Sequence, residues 1–304
     1  MIQEADPGLA DVLAEVRRID LQTRRLVSGV MAGGYLSVFR GQGVEFESVR
    51  EYVVGDDPRS VDWNVTARMG RPFIKTFMDE RDLNVVFLLD TSASMDGGYG
   101  PWSARQVAAR LCACLGIPAV RNGDRVGLVA FGSDVEAYVP PRKGSVHALR
   151  IVRDCLALPT ATGATALAPA LDFVARALRR HAVVFVLSDF LGDGWGRALQ
   201  HCARRHDVIA VRLLLPEWDV PAAGLTRLQD PETGETQVVD WSSPRVRRAY
   251  GERMAAWQAQ TERTVRKAHV DRMDVPVPRE RDVQQLVTPI LRFFRMREQR
   301  GLKR

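Results

Sequence analysis

LNVVFLLDTSASM, residues 83–95, is a run of apolar and β-branched side chains that stops at Asp90; Ser92 and Ser94 then follow at every second position. Val85–Leu89 is apolar throughout rather than alternating, so it reads as a strand buried on both faces. Such strands lie in parallel sheets, whose carboxyl ends are where ligands sit. Asp90 is at that end. The D-x-S-x-S spacing collects three oxygen-bearing side chains in one loop, and a hard divalent cation such as Mg2+ prefers oxygen ligands. The same residues also suit a plain strand end, with Asp and Ser making a turn and capping the next helix. The five-residue pattern alone leaves both readings open.

Downstream, the chain alternates. Ser103–Val120 reads as a helix, with Val107, Leu111 and Leu115 repeating every fourth position. Arg125–Phe131 is an apolar strand, and Val135–Val139 reads as its hairpin partner at the sheet edge. Ser145 is expected to cap a helix that runs to Leu158. The loop Pro159–Ala170 carries Thr160, Thr162 and Thr165 just ahead of a helix over Leu167–His181. Val183–Leu187 is a second continuous apolar strand, ending in Ser188-Asp189. A second carboxylate is thus delivered at a strand's carboxyl end. A helix to Arg205, a strand over Val208–Leu215, a hairpin within Pro221–Asp240, a Ser243-capped helix to Lys267, a strand over Val270–Val275 and a helix over Arg281–Arg297 complete the pattern. Strands alternating with helices predict an α/β fold: a mainly parallel open sheet with helices on both faces.

Upstream, Leu9–Val30 reads as an amphipathic helix, with Leu9, Val12, Leu13, Val16 and Ile19 on one stripe, packed on its own domain. Met31–Gly34 breaks it. In residues 35–82, Val44–Val54 and Pro72–Met78 suggest short strands, with a turn at Gly55–Pro58. Gly41-Gln-Gly43 is too short for a dinucleotide fingerprint. Asp56, Asp57, Arg59, Asp62, Trp63 and Arg68 suggest an ion-pair network, since guanidinium groups fork carboxylates. Such a network either fastens the segment to the main sheet or faces a partner. The organisation expected is residues 1–82 as an N-terminal helix and small β-containing segment, and 83–304 as the main α/β domain.

With 46% hydrophobic and 26% charged residues in 304, the chain has the composition of a water-soluble globular protein with a sizeable core. No window approaches about eighteen uncharged apolar residues, and the polar, acidic start is unlike a signal peptide. A cytoplasmic location is expected. Cys112, Cys114, Cys155 and Cys202 form no C-x-x-C pair, which favours reduced, buried thiols over a zinc or disulfide framework. The net charge of +6 is uneven: residues 243–304 carry +9 and the rest −3. A basic tail can meet nucleic acid or an anionic surface, or simply be a solvated helix face. No aromatic interleaving supports the former.

Asp90, Ser92, Ser94, Thr165 and Asp189 come from three loops at one end of the sheet. Together they resemble the metal-ion-dependent adhesion site of von Willebrand factor A-type domains, over about Leu83 to Leu215. The resemblance implies a Mg2+ site (Mn2+ being the alternative ion) in which Ser92, Ser94 and Thr165 touch the metal and Asp90 and Asp189 act partly through water. Thr162 competes with Thr165 for the third hydroxyl, but the resemblance places Thr165 where the family has its threonine before the helix.

The preceding segment carries G-x-G-x-E-F (Gly41–Phe46), R-x-Y (Arg50, Tyr52), G-D-D (Gly55–Asp57), D-W (Asp62, Trp63), A-R (Ala67, Arg68) and E-R-D-L (Glu80–Leu83). This order resembles the domain of unknown function 58 family. The resemblance implies a partnership with a MoxR-type AAA+ ATPase and a client protein in chaperone-like maturation. Many members carry transmembrane helices ahead of this segment; none is read here, so membrane association is expected only as peripheral.

Mg2+ takes six oxygens, so five protein groups leave a position for a partner's carboxylate. A non-enzymatic binding module is therefore expected. The alternatives are a phosphoryl-transfer or hydrolytic enzyme using Asp90 as nucleophile, and a nucleic-acid or anionic-surface binder acting through residues 243–304. Against the first, phosphatases of that kind usually have an aspartate where this chain has Ser92, and there is no G-x-S-x-G elbow.

Overall fold

A computed structural model describes residues 9–26, 46–53, 56–57, 61–77, 82–97, 100–219, 224–230, 232 and 234–301. The expected helix end at 27–30, the break at Met31–Gly34, Gly41-Gln-Gly43, Arg59, parts of the Gly55–Pro58 turn and the Glu80-Arg81 pair lie outside these residues.

The main sheet is built from β3 (Asn84–Asp90), β4 (Arg125–Phe131), β5 (Val135–Arg142), β6 (Ala182–Ser188), β7 (Asp207–Leu214) and β10 (Asp271–Pro276). Their order is β10-β7-β6-β3-β4-β5. All neighbours are parallel except β4 and β5, which pair antiparallel. β5 is one edge, β10 the other, and β5 carries Pro140 and Pro141 opposite a break in register at Gly127.

The unbroken apolar runs are explained by what covers the sheet. On β3, Val85, Phe87 and Leu89 point into one core, and Val86 and Leu88 into the other. The first core is covered by α1 (Leu9–Leu26), α3 (Ala104–Arg121), α4 (Ser145–Ala157) and α8 (Gln284–Gly301). The second lies under α5 (Leu167–Ala177), α6 (Gly196–Ala203) and the end of α7 (Pro244–Lys267). β6 alternates in the same way. Burying each such side chain contributes about 1.5–3 kcal/mol before entropy is counted. The expected α/β architecture is the one observed.

α3 is the most enclosed helix of the first layer. Its Ser103 N-cap forms a reciprocal capping box with Gln106. Val12, Val16 and Ile19 of α1 join this core. The buried Arg110 pairs with Glu15 and lies 4.2 Å over the Trp102 ring. The N-terminal helix is thus docked on the main domain through Val12, Val16 and Ile19, whereas Leu13 of the expected stripe is exposed.

Several boundaries differ from expectation: α8 starts and ends three to four residues later than Arg281–Arg297, β5 runs on to Arg142 rather than ending at Val139, and two others have a clear local cause. Gly144, at φ +101°, takes the N-cap of α4, and Ser145 is its first helical residue without a capping hydrogen bond. A residue with positive φ favours glycine, so the cap moves one position back. Ser243 does occupy the N-cap of α7, but its side chain makes no capping bond. α5 stops at Ala177, four residues before His181, because Leu178 turns extended and is buried. Cys112, Cys114, Cys155 and Cys202 are all buried and free.

The segment ahead of the main domain forms its own antiparallel pair, β1 (Phe46–Glu51) and β2 (Phe73–Phe77), joined through α2 (Trp63–Met69). Asp62 caps α2, accepting from Asn64 N at 3.0 Å. Arg50 forks Asp56 at 2.8 and 2.6 Å, and Arg71 reaches Glu51 at 3.1 Å. These ion pairs close the segment on itself, while Asp82 at its end ties it to the main domain, pairing with Arg125 of β4 at 3.5 Å and with Lys143 at 2.5 Å. Trp63 is 73% exposed. β8 (Leu225–Gln229) and β9 (Thr236–Asp240) form the expected hairpin.

Candidate metal centre

The carboxyl ends of β3 and β6 lie side by side, so their terminal polar residues meet. Asp90 is fully buried. Its Oδ1 accepts from Ser92 N at 2.9 Å, and its Oδ2 accepts from Ser188 Oγ at 2.6 Å. Ser92 Oγ and Ser94 Oγ are 3.0 Å apart. The 3-10 turn Ala93–Asp96 that begins after Ser92 folds Ser94 back beside it.

Asp189 follows β6 and is 2% exposed. Its Oδ1 accepts from Leu191 N at 3.0 Å, while its Oδ2 is buried with no hydrogen-bond partner. The Ser94 hydroxyl is near enough to favour its charged form. Burial, followed by the charge of Asp189, pushes the Asp90 carboxyl up to about 7. Burial likewise raises Asp189, and the charge of Glu232 adds to this. The next residue, Phe190, sits at φ +60° in the left-handed region and packs edge-on against Trp195. A bulky non-glycine residue there is strained, of order 1–3 kcal/mol. Its N–H is held by Ser188 Oγ at 3.0 Å.

The threonine loop is pinned by main-chain bonds to the Asp90 loop, where Ala161 N donates to Thr91 O at 2.9 Å, and to the end of β4, where Ala166 N donates to Gly132 O at 2.7 Å. A Cβ on Gly132 would stand 2.0 Å from the Ala161 Cβ, so glycine is required for this approach. The buried Arg105 adds a clamp, bonding Asp96, Leu158 O and Thr160 Oγ1. Thr165 is half-buried, and its Oγ1 donates to Glu232 Oε1 at 2.7 Å. Thr162, the competing hydroxyl, is exposed.

The structure therefore brings Asp90, Ser92, Ser94 and Asp189 into one cluster and sets Thr165 on the adjoining loop. Ser188 and Glu232 belong to the same neighbourhood and were not singled out in the sequence. An orphaned buried carboxylate oxygen among hydroxyls suits a hard cation. Among the described residues no three His, Cys, Asp or Glu side chains gather as a metal cluster, so a cation here needs hydroxyl ligands. Mg2+ or Mn2+ fits that donor set.

The basic C-terminal region is partly neutralised within the fold. Arg297 forks Asp207 at 2.7 and 2.8 Å and reaches Asp271 at 2.8 Å, and Arg300 reaches Asp271 at 2.7 Å. Among the described residues no helix is long and apolar enough to cross a membrane.

The model of the family described as "Protein of unknown function DUF58" matches residues 48–260. An uncharacterized protein of Mycobacterium tuberculosis is 32% identical over 265 residues, covering 86% of this chain and 82% of its own. Among solved structures, similarity extends to the conserved hypothetical protein BatB from Bacteroides thetaiotaomicron, at 16% identity and TM-score 0.43, covering 71% of this chain and 99% of that one. It extends also to a von Willebrand factor type A structure from Catenulispora acidiphila, at 14% identity and TM-score 0.35, covering 73% and 43%.

Proposed function

The chain belongs to the DUF58 family, and from that premise we propose that it is a divalent-cation-dependent protein-interaction module. One observation carries the reading: Asp189 Oδ2 is buried and unpartnered beside Asp90, Ser92 and Ser94. An isolated buried carboxylate is costly unless a cation or donor answers it. In this reading Ser92, Ser94 and Thr165 hold Mg2+ through hydroxyls, and Asp90 and Asp189 support it, partly through water. Neutral hydroxyl ligands leave more positive charge on the ion than carboxylates do. The bound ion then supplies a Lewis-acidic position for an acidic side chain of another protein.

The partner follows from the family resemblance: a MoxR-type AAA+ ATPase, with a client, in the cytoplasm or at the inner face of a membrane. The protein acts as adaptor rather than catalyst. Asp90 makes a poor nucleophile, because both of its oxygens already accept hydrogen bonds and it is wholly buried. A nucleic-acid role is disfavoured by Arg297 and Arg300, whose charge is met within the fold by Asp207 and Asp271.

The test is a pull-down from the native cell with Mg2+ and with chelator, using the natural chain and Asp90→Ala. Capture of an ATPase that needs both Mg2+ and Asp90 is expected. Equal capture by Asp90→Ala, or in chelator, would falsify the proposal.

A further inference from the structure

We propose that Glu232, at the tip of the β8–β9 hairpin, is an internal carboxylate ligand that takes the place a partner's carboxylate would take. This rests on the cation reading of the site given above.

Glu232 comes from an element far from the sheet ends in sequence, 67 positions after Thr165, yet its Oε1 accepts from Thr165 Oγ1 at 2.7 Å. Its charge also acts on Asp189. The carboxylate thus stands beside the threonine loop and within electrostatic reach of the carboxylate whose Oδ2 is buried and unanswered. A like charge directed at a buried acid is unfavourable, and a cation between them reverses the sign.

The tip is shaped to present this side chain. Asp230 N donates to Glu235 O and Gly234 N to Asp230 O, each at 2.8 Å. Glu232 N donates to Asp230 Oδ1 at 2.8 Å, and Gly234 takes the left-handed conformation, φ +74°, that the turn needs. Below the tip the hairpin is loosely held. Leu225 and Val238 are 74% and 60% exposed, whereas Trp241 at its base is buried and packs edge-on against Tyr250 at 5.1 Å. Few buried contacts along an arm with a firm base allow it to open locally. A tethered carboxylate competes at an effective concentration of about a millimolar. Weak acidic partners are thereby refused, and a partner that also grips the hairpin is admitted.

The experiment uses Mn2+ as the probe on the full chain. Free Mn2+ is measured by electron paramagnetic resonance, and bound Mn2+ by water-proton relaxation, for the natural chain, Glu232→Gln and Asp90→Ala. Glu232→Gln is expected to bind Mn2+ roughly 3–30-fold more weakly, and its bound ion to relax water faster because a water replaces the carboxylate. Acetate should then slow that relaxation at lower concentration in Glu232→Gln than in the natural chain. Unchanged affinity and relaxation in Glu232→Gln, with binding abolished in Asp90→Ala, would overturn the internal ligand and keep the cation site. No Mn2+ binding by the natural chain would overturn both. Circular dichroism checks that the tip substitution leaves the fold intact.

Discussion

The Ser188 hydroxyl donates to Asp90 Oδ2 at 2.6 Å and accepts from Phe190 N at 3.0 Å, so one side chain joins the ends of two neighbouring strands. Asp90 is held in one orientation by Ser188 on one oxygen and Ser92 N on the other. Removing a group that orients a metal-binding carboxylate typically costs 10–100-fold in affinity. Ser188→Ala should weaken Mg2+ binding by about that factor in calorimetric titration, while a urea melt shows a stability loss of only about 1–3 kcal/mol. An unchanged Mg2+ affinity would remove Ser188 from the site.

Gly132 is where β4 lets the threonine loop approach. Gly132→Ala places a methyl 2.0 Å from the Ala161 Cβ and 2.8 Å from Glu136 Oε1. The backbone must part, at a cost of roughly 1–3 kcal/mol. The Ala161–Thr91 and Ala166–Gly132 bonds are the first to suffer. The Mg2+ midpoint should therefore rise along with the loss in thermal stability. A variant with natural stability and Mg2+ affinity would contradict this close packing.

Asp90 sets a pH dependence. Its carboxyl, ordinarily near 3.8, is raised to about 7, first by burial and then by Asp189. A raised carboxyl favours the folded protein below the unfolded value, and that advantage is lost as pH climbs through 7. In chelator, stability should fall between pH 4 and 7, and Asp189 shifts the same way. Asp90→Asn should be the more stable form at pH 8 in chelator, on the order of 1–3 kcal/mol. With saturating Mg2+ the order should invert. Denaturant melts at pH 5 and pH 8, with and without Mg2+, give four numbers for each protein; parallel curves for both proteins would refute the coupling.

His206 works in the opposite direction, far from the site. It is buried, neither ring nitrogen has a hydrogen-bond partner, and burial, with smaller contributions from His181 and Arg205, lowers it from 6.5 to about 4. A depressed imidazole keeps its contribution above the unfolded value and loses it as pH falls from 6.5 through 4, up to ~3 kcal/mol. His206→Leu should flatten that acid limb and leave the behaviour above pH 7 unchanged. An acid limb of the same depth in the variant would show that other groups carry it.

The sheet was legible because burial on two faces leaves a plain mark. Val85–Leu89 and Val183–Leu187 have no polar residue to spare, since alternate side chains enter opposite cores. Asp90 and Asp189 stood out because each ends such a run. Glu232 was not legible: an acidic residue in a turn is ordinary, and nothing local links it to Thr165. Ser188 lay in plain view beside Asp189, but its hydroxyl gains meaning only when β3 and β6 are neighbours. The signal that could have found it is the repeat itself, a polar pair closing each apolar strand. The α4 cap failed at Gly144 because positive φ overrides the preference for serine. The ion pairs of residues 46–77 were anticipated in kind but not in partners: Arg50, Glu51 and Arg71 join Asp56 in forming them, and these three were not among the residues expected to.

The outer strand β5 carries Pro140 and Pro141 side by side, a register break against β4, and the charged residues Glu136 and Arg142. Proline offers no amide proton, so a foreign strand laid along this rim would meet gaps in its ladder. Growth of the sheet by accretion of a second molecule, or of an extended peptide, is discouraged on that flank. Self-assembly into fibrils is blunted by the same two rings.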